Sequence, residues 1–298
     1  MKTHARVVII GGGAMGVGIL YHLTKEGWKD VVLVEKGELT SGSTWHAAGL
    51  IPHFIASLNL AKIHYYGSEL YKNLEEETGQ ATGWHGCGAV RLAVNQDQVD
   101  WFHYVKGILA QIGAECHLLG PDEIKEVHPL LNTDGVLLGA YTTGDGHTDP
   151  SGVTHAMAIG AKNRGAEIYR NNRVTEINSL PSGEWEVVTG NGKIVCEHVV
   201  NAAGSFCAQV GAMVGLKIPV VNMVHQYLMT ETIPEVAALK TELPVVRDPR
   251  SSCYYRQEQS GLIIGPYEMN AKAWGLVGID WSFDNALLPP DLERLEPH

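Results

Sequence analysis

Val7-Val8-Ile9-Ile10-Gly11-Gly12-Gly13-Ala14-Met15-Gly16 is the stretch that decides the fold. Four successive β-branched apolar residues read as a strand of a parallel sheet, buried on both faces. Gly11, Gly13 and Gly16 follow at the spacing of a dinucleotide-binding turn. The first permits a tight turn, the second lets the backbone approach a pyrophosphate, and the third allows close helix–strand packing. A helix is predicted from about Ala14 to Lys25, its free N–H groups and partial positive charge facing the phosphates, with Gly27 closing it. Val31-Val32-Leu33-Val34 predicts the second strand, which ends at Glu35, 24 residues beyond Gly11. A carboxylate there accepts hydrogen bonds from both ribose hydroxyls and repels a 2′-phosphate, which argues against NADP. A secretory signal is not expected: Lys2 and Arg6 precede the apolar run Val7 to Tyr21, but five glycines break it and no clear cleavage site follows.

Outward from this unit, Glu38-Leu39-Thr40-Ser41-Gly42-Ser43-Thr44-Trp45-His46-Ala47-Ala48-Gly49-Leu50 is a small-residue loop that delivers His46 beside a bound dinucleotide. Residues 42–50 resemble the corresponding segment of the dimethylglycine dehydrogenase and sarcosine dehydrogenase family, amine-oxidising flavoproteins of the D-amino-acid-oxidase-like (glycine-oxidase) superfamily. The resemblance continues through Lys62-Ile63-His64-Tyr65, Leu74-Glu75-Glu76-Glu77-Thr78-Gly79-Gln80, Gly144-Asp145-Gly146-His147-Thr148-Asp149-Pro150 and Val200-Asn201-Ala202-Ala203-Gly204. It reaches His225-Gln226-Tyr227, Arg256-Gln257-Glu258 and Gly265-Pro266-Tyr267-Glu268, nearly the whole chain, and the dimethylglycine dehydrogenase branch fits best.

The resemblance implies an α/β fold: a Rossmann-like FAD-binding lobe with a parallel sheet, and a second, mixed-sheet substrate-binding lobe. The FAD lobe is expected over about residues 1–83 and 142–215, the substrate lobe over 84–141 and 216–298. It implies FAD held by Gly11, Gly13, Gly16, Glu35, Lys36, Ser43, Thr44, His46, Val174, Ala203 and Gly204. In the family the histidine at the position of His46 is bonded to the 8α-methyl carbon of the flavin. Such a bond withdraws electrons and raises the cofactor's reduction potential. A hydrogen bond within the loop, or contact with a noncovalent flavin, is the plainer alternative among 14 histidines. The strand end at Ala203 and Gly204 lets the backbone approach FAD, or packs a strand against a helix, or both.

Composition suits an enzyme. The 298 residues are 45% hydrophobic, enough for a substantial core in one or two lobes. A net charge of −11 disfavours nucleic acid and anionic membranes. No uncharged apolar run is long enough to span a bilayer, since Lys217 and Pro219 interrupt the candidate near Val210. Cys87, Cys116, Cys196, Cys207 and Cys253 show neither CxxC nor metal-ligand spacing, so reduced thiols, no metal and a cytoplasmic address are expected.

Apolar periodicity predicts a helix over Leu58–Thr78, with Leu60, Ile63, Gly67, Leu70, Tyr71 and Leu74 along one stripe. Ala89 to Val94 predicts a strand, Gln98 to Ile112 a helix, and Pro121-Asp122-Glu123-Ile124 a helix start. Pro150 to Arg164 predicts a helix and Glu167 to Tyr169 a strand. Val174–Ile177, Trp185–Thr189 and Ile194–Cys196 predict an antiparallel crossover before a strand at Val199–Asn201. Val220 to Thr230 predicts a sheet strand carrying His225.

In the resembling family a histidine–tyrosine pair faces flavin and substrate, and it maps onto His225 and Tyr254; Tyr255 points to the opposite face of a regular strand. Amine oxidation needs a neutral amine, because an ammonium has no lone pair to stabilise the developing iminium. A histidine and a hydrogen-bonding tyrosine can accept or relay that proton. A structural role for both is the plainer alternative. The implied reaction is oxidative N-demethylation of a small N-methylated amino acid, dimethylglycine to sarcosine. Sarcosine dehydrogenase or another secondary or tertiary amine oxidase is the first alternative. A non-catalytic regulator of the pyruvate dehydrogenase phosphatase type is the second. A substrate carboxylate needs a cation, and Arg91, Arg247 and Arg256 are candidates. The electron acceptor is oxygen or an electron-transfer flavoprotein. The sequence stops where a helix is expected to begin, Pro289-Pro290-Asp291-Leu292-Glu293, so a chain incomplete at its C-terminus is expected, with folate a partner only of a further domain.

Overall fold

A computed structural model describes all residues, Met1–His298. A six-stranded sheet runs in the order Glu167–Tyr169, Val31–Val34, His4–Ile10, Gly192–Asn201, Trp185–Thr189, Val174–Ser179. The first four strands are parallel, and the last two join through antiparallel pairings. Alternation along the first strand explains why it is apolar throughout. Val7 and Ile9 pack into one core with the helices Ala14–Lys25 and Pro150–Asn163, while Val8 and Ile10 pack into another with Val174, Val187 and Ile194.

A seven-stranded mixed sheet runs Leu228–Met229, Gly261–Pro266, Cys253–Glu258, Val245–Asp248, Ala89–Ala93, Leu138–Thr142, His117–Leu119. Its one parallel pair joins Val245–Asp248 to Ala89–Ala93. The helix Gln96–Gln111, capped by the Asn95 side chain accepting from Gln98 N–H, closes a third core around Phe54, Phe102 and Leu109. No helix is long and apolar enough to cross a membrane.

The structure corrects several expectations. Ile194–Cys196 and Val199–Asn201 belong to one ten-residue strand, Gly192–Asn201. Its first half pairs with Trp185–Thr189, and from Val195 onward it pairs with the first strand, so no turn separates them. Val220–Thr230 is no continuous strand. Asn222–Met223 pairs with Ala273–Trp274 and Leu228–Met229 with Gly261–Pro266, so the chain changes sheets between them. Gln226 fixes that bend, donating to Glu268 and to the Asp291 carbonyl. The expected C-terminal helix start is only a 3-10 turn, Leu292–Arg294.

The helix Leu58–Thr78 forms as expected and ends at Gly79, whose φ of 72° is the left-handed conformation glycine tolerates. Its expected stripe holds only in part. Leu70, Tyr71 and Leu74 pack on the first core, but the amino-terminal half turns Ala61 and Tyr65 toward the third core, leaving Leu60 and Ile63 in solvent. One helix serves two cores, so its buried face shifts along its length. Leu74→Ala should therefore cost about 3 kcal/mol. Ile63→Ala, at 63% exposure, should cost about 0.5 kcal/mol or less, and urea unfolding midpoints separate the two.

His128 caps the helix Pro121–Val127 and is buried with its Nδ1 unpaired; burial pushes its imidazole from 6.5 down to about 4. The unfolded chain thus takes up a proton that the folded chain refuses. Stability from this group is complete above pH 6.5 and falls as pH drops toward 4. Relative to His128→Gln, the native protein should lose about 1.4 kcal/mol per pH unit across that window in denaturant titrations. Parallel titrations would contradict the buried neutral ring.

Candidate active site

The glycine turn is shaped by contact between backbones. Gly11 has φ +116°, and a Cβ there would overlap the Ala202 carbonyl; a Cβ on Gly16 would overlap the Gly11 carbonyl. The end of the strand Gly192–Asn201 thus lies directly against the turn, with Ala203 N–H donating to the Asn201 side chain. Thr44 Oγ1 accepts from Ala14 N–H at 3.0 Å, beside Gly13, so the loop after the second strand reaches the helix N-terminus. Ser43 Oγ lies 3.4 Å from Ser205 Oγ, next to Gly204. Glu35 accepts from Gly12 N–H at 2.6 Å and Gly37 N–H at 2.8 Å, one bond to each carboxylate oxygen, so each keeps further acceptor capacity.

Gly11, Gly13, Gly16, Glu35, Ser43, Thr44, Ala203 and Gly204 therefore share one crevice. Lys36 does not join them: its ammonium donates to the Phe283 carbonyl, lies 3.6 Å from Asp284 and sits over Phe206. Val174 is a buried core residue at a strand start, beside Arg173 and near Asn172, whose N–H donates to the Glu35 carbonyl.

His46 sits in a tight turn in which Trp45 N–H reaches the Thr40 carbonyl and Ala47 N–H the Thr44 carbonyl. Its ring meets that of Trp45 edge-on at 4.1 Å. Burial lowers its pKa, so the imidazole is neutral near pH 7. Both His46 Nε2 and Trp45 Nε1 are buried without a hydrogen-bond partner. Two orphaned nitrogens, each costing about 1–3 kcal/mol, fit a loop built to meet something bound. Together with the helix N-terminus and the glycine cradle, they fit a dinucleotide cofactor.

Across from this loop, Tyr254 is buried, and its ring centre lies 6.5 Å from His225 and 5.7 Å from Tyr267. His225 stacks on Tyr267 at 5.7 Å and 21°. Burial of the ring lowers the His225 pKa, and the Arg294 charge adds to this. Burial pushes the Tyr254 phenol up to about 12. Tyr255 points to the other face, packed beside Val90 and Val246.

The guanidinium of Arg247 lies over both Tyr254 and Tyr267 and donates to the Tyr267 hydroxyl. On the adjacent strand Arg91 is its direct partner in register, stacked on Phe54 and Trp101, with its Nε buried and unpaired. Arg250, Arg256 and Arg294 each hold a carboxylate, whereas Arg91 and Arg247 hold none. Burial, together with the neighbouring Arg247 charge, lowers Arg91 to about 10. Beneath them burial pushes Asp145 up to about 7, although its carboxylate accepts from His53 N–H. Leu50, Pro52, Phe54, Arg91, Asp145 and Arg247 line one cavity at the exit of the His46 loop. Arg256 points elsewhere: its Nε donates to the Ala48 carbonyl and its NH2 pairs with Glu258.

Tyr267 and Asp145 carry parts of this site that sequence reasoning assigned no role. Both lie in the resembling segments Gly265–Glu268 and Gly144–Pro150, which were the only available signal.

Comparison with known proteins shows the family. The DAO family, described as FAD dependent oxidoreductase, matches residues 6–297. Mitochondrial dimethylglycine dehydrogenase of Rattus norvegicus is 46% identical over 302 residues, covering 100% of this chain and 35% of that protein. Mitochondrial sarcosine dehydrogenase of Homo sapiens is 37% identical over 296 residues, covering 94% and 32%. L-proline dehydrogenase from P. horikoshii superposes with a TM-score of 0.79 at 29% identity, over 89% of this chain and 70% of that one. The chain spans about a third of the length of these two dehydrogenases. It belongs to the DAO family of FAD-dependent oxidoreductases, and along its whole length it is related to the dimethylglycine and sarcosine dehydrogenases.

Proposed function

We propose that this chain carries the flavin and substrate sites of an oxidative N-demethylase for a small N-methylated amino acid, with dimethylglycine converted to sarcosine. The observation that carries the reading is the pair of guanidiniums without carboxylates, Arg91 and Arg247, beside an aromatic wall that includes His225 and Tyr254. Cations in a cavity that make no salt bridge to a carboxylate suit an anionic ligand, and a guanidinium pairs with a carboxylate through charge-assisted hydrogen bonds. Of the three arginine candidates, Arg256 is the one already engaged elsewhere.

When bound, FAD supplies the two-electron oxidant that takes hydride from an N-methyl carbon. The chain's residues do the rest. Arg91 and Arg247 orient the substrate through its carboxylate. His225, kept neutral by its enclosure, accepts the proton of the substrate ammonium so that the nitrogen lone pair is free. Tyr254, with its phenol raised to about 12, stays protonated and donates a hydrogen bond. The resulting iminium is hydrolysed by water to formaldehyde and the demethylated amine. We further propose that His46 would hold the flavin through a bond from its orphaned, neutral Nε2 to the 8α carbon; that bond would replace a methyl C–H and cost the imidazole its proton, a two-electron oxidation for which dioxygen would be the acceptor. The remaining FAD contacts are assigned to the crevice residues, with Lys36 and Val174 at its margin. Five unpaired cysteines suit a reducing compartment, from which a cytoplasmic address is proposed; the dimethylglycine and sarcosine dehydrogenases named above are mitochondrial proteins and favour the mitochondrion instead.

Anaerobic mixing of FAD-loaded protein with substrate tests the reading. Dimethylglycine should bleach the flavin faster than sarcosine, and dimethylethylamine, which lacks the carboxylate, should do so poorly. Arg247→Met should weaken apparent substrate affinity by about 10- to 100-fold. His225→Ala should slow reduction roughly a hundredfold or more while leaving flavin content intact. Equal reduction by the carboxylate-free amine, or an unaffected Arg247 variant, would remove the guanidinium pair from substrate binding.

A further inference from the structure

We propose that Glu242, acting through His147 and Arg256, is a positioning residue for the loop that carries His46. The inference rests on the reading of that loop as the flavin's contact. The residues form one directional chain from the seven-stranded sheet to the His46 loop. Glu242, just ahead of the strand Val245–Asp248, accepts from His147 Nε2 at 2.5 Å. His147 Nδ1 faces Arg256 NH1 at 3.3 Å, and Arg256 Nε donates to the Ala48 carbonyl at 2.9 Å, two residues from His46. The Arg256 side chain is only 11% exposed and is further held by Glu258 at 2.7 Å and the Gln257 carbonyl at 3.1 Å.

Proton placement makes the chain specific. A guanidinium can only donate, so His147 Nδ1 must be the acceptor and Nε2 must carry the hydrogen. That hydrogen goes to Glu242, which as a carboxylate can only accept. Each group thereby fixes the next, and the last link grips the loop.

His85, His147 and Glu242 lie close enough together, within 4.8 Å, to suggest a metal site. The same proton order argues against one, because the Nε2 lone pair that a metal requires is replaced by N–H, and a metal-bound ring would turn an N–H toward Arg256.

The backbone gives the chain a rigid base. His147 pairs with Leu50 on one side and His85 on the other, so it is the central rung of a small junction from which the loop departs. Within the loop, Ala48 O is the acceptor that reaches the seven-stranded sheet, through a residue 208 positions away.

Glu242→Gln is the diagnostic change. An amide can turn its NH2 toward His147 Nε2, which moves the ring hydrogen to Nδ1 and sets it against Arg256. Arg256→Lys is the second variant, since one ammonium cannot reach Ala48, His147 and Glu258 together. His85→Gln, which removes a contact of Glu242 outside the chain, is the control. Amide hydrogen exchange of the protein without added FAD should show residues 45–50 exchanging about tenfold faster in both variants, with Val7–Ile10 and the control unchanged. After addition of FAD, the rate at which flavin becomes acid-insoluble should fall about tenfold in Glu242→Gln, while the FAD concentration for half-saturation stays within about twofold. A general loss of stability would instead raise exchange in the core strand and weaken FAD binding together. Loop exchange at the native rate in both variants, or acceleration shared by the whole protein, overturns the proposal. Native protein that binds no acid-insoluble flavin contradicts the proposed cofactor link while leaving the exchange result to decide the positioning role.

Discussion

Backbone contact between Gly11, Gly16 and Ala202 is the constraint on which the rest depends. No side chain fits at either glycine, because a Cβ would overlap a carbonyl oxygen. That absence lets the helix Ala14–Lys25 start directly over the ends of two parallel strands. Its N-terminus, the carboxylate of Glu35 and the Thr44 hydroxyl consequently converge on one crevice. Had either glycine carried a side chain, the strand end and the turn would separate, and the His46 loop would lose the helix end against which Thr44 anchors it.

From that crevice the loop crosses toward the seven-stranded sheet, and its environment changes from backbone donors to guanidiniums. Arg91 and Arg247 sit side by side in register, a repulsive arrangement that burial makes worse. Aromatic faces compensate in part: Phe54 and Trp101 under Arg91, Tyr254 and Tyr267 under Arg247. Asp145 is held near neutrality by its own burial and is a weak counter-charge at pH 7. Strain of this kind marks a site whose charge balance is completed by a ligand. His46 and Trp45 show the same incompleteness on the opposite wall, in hydrogen bonds rather than charge.

The first fifty residues were legible because each local signal had one physical reading. A doubly buried strand, a glycine turn, a helix and an acid at a strand end leave little else to build. The helix Leu58–Thr78 was equally plain in extent, but not in its buried face, because no periodicity reveals that one helix serves two cores. The segment holding His225 misled for a related reason. Val220–Thr230 has strand composition throughout, yet its two ends pair with different strands, and the turn between them depends on Gln226 reaching Glu268 and Asp291, 42 and 65 residues away. Strand register likewise lies beyond composition, so the adjacency of Arg91 and Arg247 could not be read, nor the capture of Arg256 by Ala48. Tyr267 and Asp145 stood in segments recognised by resemblance, but nothing in their spacing said that one would line the aromatic wall and the other the cavity floor.

The most direct measurement is the mass of the proteolytic peptide spanning residues 42–50 from protein loaded with FAD. A peptide heavier by one FAD, with fragmentation placing the addition on His46, is the expected result. An unmodified peptide beside freely dissociated FAD would contradict the loop's assignment as the flavin's covalent anchor.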